Sequence, residues 1–145
     1  MNKLGKILVT GMFVTTGIFA FGGPAQAAPP PTEYDTAVVA SPSSVPNTVS
    51  RTGAKVGFDP AGDILWVYDA EKDGKSAVVI WKDYLDNGSG NFERSGVCKN
   101  SHGYDTWAYC NKNLPEASTI KYQAHTLDNG VYSTGSPLKS VRVDG

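Results

Sequence analysis

The stretch whose reading decides the fold is DILWVYDAEKDGKSAVVIWK, residues 63–82. Residues 64–68 and 78–81 are β-branched and aromatic, the composition of strands. Between them sits Asp73-Gly74, the dipeptide favoured in two-residue type I′ turns. This pattern predicts a β-hairpin. Its register sets Tyr68 opposite Val79, Val67 opposite Ile80 and Trp66 opposite Trp81. One alternation then carries Leu65, Val67, Val78 and Ile80, and the other carries Trp66, Tyr68, Val79 and Trp81. Both are apolar, so alternation alone does not say which faces the core.

Downstream, turn signals recur at short intervals. Residues 85–90 are Leu-Asp-Asn-Gly-Ser-Gly, residues 113–116 are Asn-Leu-Pro-Glu, and Asn129-Gly130 is a second type I′ dipeptide. Strand patterns fill the gaps at residues 92–99 (weakened by Gly96), 106–111, 118–128 and 138–143. Ile120, Tyr122 and Ala124 alternate with Lys121, Gln123 and His125, an apolar face against a polar one. Val56 and Phe58 open the series, ahead of a turn at Asp59-Pro60-Ala61-Gly62. About seven short strands without a capped helical period predict an all-β chain. The expected architecture is a single antiparallel β-sandwich of immunoglobulin-like or fibronectin-like kind, with a small β-barrel as the alternative.

The N-terminus has the order of an export signal. Lys3 and Lys6 precede an uncharged apolar run over residues 7–21, and Ala25-Gln26-Ala27 supplies a small-x-small cleavage site. The run is too short for an ordinary membrane span. Residues 1–27 are therefore read as a signal peptide and the product as secreted. Residues 28–52 are rich in Pro and Ser and are read as a flexible linker, with an edge strand at Val38-Val39 as the alternative, which leaves 53–145 as the sandwich domain. Losing Lys3 and Lys6 leaves eleven basic against fourteen acidic residues, a net charge of −3 with no basic stripe. That composition argues against nucleic-acid binding and against docking on an anionic membrane after signal cleavage.

Cys98 and Cys110 are the only cysteines. In an exported chain such a pair is expected to form a disulfide. Asp69, Glu71, Asp73 and Gly74 match the start of a calcium loop, but position twelve is Ile80 where a glutamate is required. A turn with solvated carboxylates is the simpler reading, so no metal and no cofactor are assigned. His102 and His125 are the only histidines and belong to no catalytic motif. No catalytic residue is assigned, and a binding domain is preferred to an enzyme, with a small hydrolase of unrecognised site as a third reading. Trp66, Tyr68 and Trp81 are the candidate ligand-binding residues, because exposed ring platforms stack on sugars or pack on proteins. Trp107 and Tyr109 form a second, smaller aromatic pair. The expected partner is an extracellular protein or carbohydrate. The alternative is a secreted inhibitor of an exoenzyme such as a protease. It would present Asn100, Ser101, His102, Gly103, Tyr104 and Asp105 as a rigid loop braced by the disulfide.

Several short motifs carry a resemblance. Gly62-Asp63, Val67-Tyr68-Asp69, Asp73-Gly74, Ser76-Ala77-Val78-Val79 and the Tyr122 strand are similar to a group of small secreted actinobacterial β-sandwich proteins. The resemblance spans roughly residues 53–145 and omits Trp66 and Trp81. It implies an extracellular single domain and transfers no catalytic residue, since the group has no established activity. The export reading predicts a mature chain that starts at Ala28. N-terminal sequencing from culture supernatant should return Ala-Pro-Pro-Pro; full-length chain in the membrane fraction would overturn it.

Overall fold

The computed structural model describes residues 30–86 and 90–144. The expected signal peptide, and residues 87–89 of the second turn, lie outside them. The described chain is all-β, and its eleven strands form two packed sheets. Strands β1 (Thr32–Thr36), β2 (Val38–Val39) and β3 (Val49–Arg51) precede the expected domain start. They are followed by β4 (Ala54–Asp59), β5 (Ile64–Asp69), β6 (Ser76–Leu85), β7 (Phe92–Asn100), β8 (Thr106–Asn111), β9 (Ser118–Asp128), β10 (Val131–Tyr132) and β11 (Lys139–Arg142). Sheet A has the order β1-β7-β6-β9-β10, with β11 also on β9; sheet B has the order β2-β8-β5-β4-β3. The sandwich expected from sequence is present. The seven expected strands are β4 to β9 and β11, and the other four are short edge pieces.

The central hairpin is not formed. β5 pairs with β4 and β8 in sheet B, whereas β6 pairs with β7 and β9 in sheet A. Residues 63–82 therefore cross from one sheet to the other. The local chemistry explains the change. Gly74 has a φ of 75°, but Asp73 is not left-handed, so the pair does not make the type I′ turn that needs both. Asp73 Oδ1 instead accepts the Lys75 amide at 3.0 Å, an Asx turn. At Asn129 and Gly130, φ is 46° and 82°, and there the hairpin between β9 and β10 does close.

Because β5 and β6 face each other across the sandwich, the core takes one alternation from each. Leu65 and Val67 of β5 meet Ala77, Val79 and Trp81 of β6, with Val56, Phe58, Ile120, Tyr122 and Ala124 around them. Trp81 is 1 % exposed. Its indole lies over Gly96, its register partner on β7: a Cβ there would stand 2.9 Å from Trp81 Nε1 and 2.8 Å from the Glu33 carbonyl. The glycine that weakens the strand pattern makes room for the largest core side chain. Cys98 and Cys110 are bonded, as expected, but the bridge runs between sheets, from β7 to β8. Closing this short loop stabilises by ~3 kcal/mol in the chain-entropy account.

The linker expected over residues 28–52 is corrected. From Thr32 onward the segment is part of the sandwich. β1 runs parallel to β7, and β2 continues antiparallel to β8, so one stretch edges both sheets. Ala37, between them, is 2 % exposed and donates its amide to the Lys99 carbonyl at 2.8 Å. Residues 45–48 then cross the outer side of β4: a Cβ on Gly57 would lie 2.5 Å from Val45 Cγ1. Asn47 anchors the crossing by donating to the Phe58 carbonyl at 3.1 Å and accepting the Tyr122 hydroxyl. Composition suggested a spacer because this stretch has few apolar residues; it is held by main-chain pairing and polar anchors instead.

One buried group makes the fold sensitive to pH. Asp83, on the inner face of β6, is 0 % exposed. Its Oδ1 accepts the Ser118 hydroxyl at 2.7 Å, and its Oδ2 has no partner. Burial raises its pKa above the ordinary aspartate value; the Ser118 bond and Arg94 oppose the rise, while Glu93 and Asp63 add to it. A raised folded-state pKa gives stability that is complete below the unfolded value and is lost as pH climbs through the folded one. Asp83→Asn should therefore melt higher than the parent at neutral pH, and the gap should close in acid. Melts of both across that range check it.

Candidate functional site

The outer face of sheet B collects the rings. On β5, Leu65 and Val67 point inward, so Trp66 and Tyr68 point out; on β8, Ala108 and Cys110 point inward, so Trp107 and Tyr109 point out. Strand pairing then sets Trp66 opposite Tyr109 and Tyr68 opposite Trp107. Two members of the first expected group, Trp66 and Tyr68, thus form one strip with the second aromatic pair. Tyr68 and Trp107 lie 5.0 Å apart with planes 33° apart, Trp66 and Tyr109 5.3 Å apart at 45°, and Trp66 meets Trp107 edge-on at 6.4 Å. All four side chains are half-buried. The strip is corrugated rather than flat, because its rings tilt against each other.

Trp81 is not part of it. It was expected opposite Trp66, but it sits on the other sheet and is packed into the core. The misplacement follows directly from the hairpin that does not form. Trp107 and Tyr109 were noted as a separate pair; what sequence reasoning missed is that they stand across from Trp66 and Tyr68. Their signal was the alternation Trp107-Ala108-Tyr109-Cys110, in which a buried cysteine marks the inner face.

Polar groups rim the strip. Lys55, beside Tyr68 on β4, holds its ammonium 5.9 Å from the Trp107 ring, a weak cation–π contact. The Tyr68 hydroxyl donates to Asp105 Oδ1 at 2.6 Å. That hydrogen bond is the main reason the Tyr68 pKa lies above the ordinary phenol value. Val38, register partner of Tyr109, is 57 % exposed and extends the apolar surface past β8.

Asp105 joins the strip to the loop singled out in the sequence, which is tightly held. Asn100 is 0 % exposed; its amide donates to the Val67 carbonyl at 3.2 Å and the Thr106 carbonyl at 2.8 Å, and its Oδ1 accepts the His102 amide at 3.0 Å. The Thr106 hydroxyl donates to the Gly103 carbonyl at 2.5 Å. His102 Nε2 bonds the Ala37 carbonyl at 2.8 Å, and the Asp105 amide donates to the Asp69 carbonyl at 2.9 Å. Ser101, His102, Gly103, Tyr104 and Asp105 are exposed, with Tyr104 at 54 %. Opposite this loop, Asp69, Glu71, Lys72 and Lys75 complete a groove of about 310 Å3. Asp69 is buried and accepts the Glu71 amide at 3.4 Å, and Asp73 is spent on its own turn. Among the described residues no three His, Cys, Asp or Glu side chains converge as metal ligands. His125 lies on the outer face of sheet A and bonds the Ser133 carbonyl at 2.8 Å.

Compared with protein-family models, with curated proteins and with solved structures, the chain matches none.

Truncations separate strip from core. Trp81→Ala should cost about 3–5 kcal/mol, the range for a fully buried large ring. Trp107→Ala, on the half-open strip, should cost about 1 kcal/mol. Denaturant melts check both, and equal losses would mean that the strip is structural packing.

Proposed function

We propose that the chain is an exported, non-catalytic binding domain that engages an extracellular carbohydrate or protein through the outer face of sheet B. The observation that carries this reading is the strip of Trp66, Tyr68, Trp107 and Tyr109. Four large rings lie together on one sheet face, and each keeps a part of its surface open to solvent. An antiparallel sheet that meets only water normally alternates to polar residues on its outer face. Aromatic anchors with a polar rim are the usual composition of binding surfaces. The inter-sheet disulfide supports an oxidising compartment. Among the described residues no helix is long and apolar enough to cross a membrane.

The second reading, an exoenzyme inhibitor, has its own observation in the Tyr104 loop. A pinned loop with an exposed tip loses little entropy when it enters a cleft. The two readings use adjoining but different residues, so one experiment separates them. Purified protein is passed over cell-wall polysaccharide and over immobilised secreted proteins, with Trp107→Ala and Tyr104→Ala alongside. Binding through the strip predicts a loss of about tenfold or more for Trp107→Ala and little change for Tyr104→Ala. The inhibitor reading predicts the reverse, together with slowed exoprotease activity. Retention unchanged in both variants would overturn both.

A further inference from the structure

Lys112 follows β8 out of sheet B, and its side chain enters the space between the sheets, where it is 4 % exposed. Its ammonium meets two carboxylates of β1, Glu33 Oε2 at 3.0 Å and Asp35 Oδ2 in direct contact. Both acids are on the inner side of β1, as register partners of Gly96 and Cys98. Arg94 fixes the cluster. It holds Glu33 through Nε to Oε1 at 2.8 Å and Nη2 to Oε2 at 3.2 Å, and it donates to the Lys112 and Asn113 carbonyls at 2.8 and 3.1 Å. The Trp81 ring closes the inner side, 5.0 Å from Lys112 Nζ. Burial alone would raise the Glu33 pKa, but the hydrogen bonds from Arg94 and Lys112 outweigh it and hold the group below its usual value.

The placement is the informative part. Asp35 stands beside Cys98 on the neighbouring strand, and Lys112 is two residues past Cys110 on the same inner face. The amine and the carboxyl therefore face each other alongside an existing covalent bridge, on strands whose separation that bridge already sets.

We propose that Lys112 and Asp35 condense into an intramolecular isopeptide bond, a second covalent tie between the sheets. The Lys112 ammonium passes one proton along its hydrogen bond to Asp35 Oδ2. The freed nitrogen lone pair attacks Asp35 Cγ, and the C=O electron pair moves to oxygen. The tetrahedral centre collapses with loss of the protonated hydroxyl as water, while Glu33 relays the second nitrogen proton to that leaving group. The balance is ammonium plus carboxylate giving amide plus one water, with no oxidant, reductant or cofactor. In dilute solution this condensation favours the reactants. Folding has already brought the partners together, so the association entropy that opposes the reaction in dilute solution is prepaid, and the barrier falls as for effective molarities of about 10⁵–10⁸ M. Asp35 keeps 41 % of its side chain exposed, so the released water has a way out.

Intact-mass measurement of the folded, disulfide-bonded mature chain, compared with the mass calculated for residues 28–145, tests this directly. The expected mass is below the sequence value by one water, beyond the two hydrogens lost to the disulfide. Tandem spectra should show the peptides that contain residues 35 and 112 joined. Lys112→Arg and Asp35→Ala should each restore the full mass, and Glu33→Gln should leave a large uncondensed fraction. Unlinked parent protein, with the Lys112 amine open to acetylation after unfolding, would overturn the proposal, as would a join through any other pair. Complete condensation of Glu33→Gln would overturn the relay role of Glu33. The parent measurement needs no variant to fold.

Discussion

The Cys98–Cys110 bridge is the constraint on which the rest of this structure depends. β7 and β8 are consecutive in the chain but belong to opposite sheets, and the bond spans the core between them. The five intervening residues must then cross the end of the sandwich in a short arc. That arc leaves backbone groups near the core edge, and Asn100 answers them with both ends of its side-chain amide. A buried amide that makes all of these bonds rigidifies its surroundings; half-satisfied, it would weaken them. The pinned loop, the position of Asp105 and the hydroxyl of Tyr68 all follow from this crossing.

The general architecture was legible because it rests on alternation, which is local. Ile120, Tyr122 and Ala124 face inward as their spacing indicates, and all three are fully buried. Sheet membership was not legible, because it is decided between residues far apart in sequence. Asp73-Gly74 and Asn129-Gly130 differ little as dipeptides, yet only the second closes a hairpin. Six residues separate β5 from β6, enough to cross a sandwich, and the apolar character of both strands suits the centre of two different sheets as well as it suits one. Each strand gains two neighbours by separating. A hairpin would satisfy one edge of each.

Among the N-terminal strands, β2 was weighed as an edge strand at Val38-Val39, and β1 and β3 escaped for a different reason. Composition identifies core segments by apolar content, and residues 32–36 are Thr-Glu-Tyr-Asp-Thr. Their inner positions, Glu33 and Asp35, are satisfied by Lys112 and Arg94, more than fifty residues away. An edge strand held by charges carries no hydrophobic pattern. Paired charges near a sheet edge also blunt the edge against other chains, so the polar composition that resembles a spacer serves the fold.

Half of the candidate site was visible in the sequence. Trp66 and Tyr68 were recognised as outward candidates, but their companions were taken from the wrong strand. The contrast between the two outer faces shows why the strip matters. On sheet A the central outer residues Val78 and Val97 are covered to 0 % and 6 % exposure, with Lys82, Lys121, Gln123 and His125 around them, although Tyr34 on edge strand β1 is 74 % exposed. On sheet B the chain had the means to do the same. It lays residues 45–48 over Gly57 directly beside Trp66, which covers backbone and stops short of burying the rings. Threonine or lysine at these four positions would suit a solvated sheet face at less expense in exposed apolar area. Packing therefore accounts for where the rings stand but not for their being rings, and that difference is what a ligand would explain.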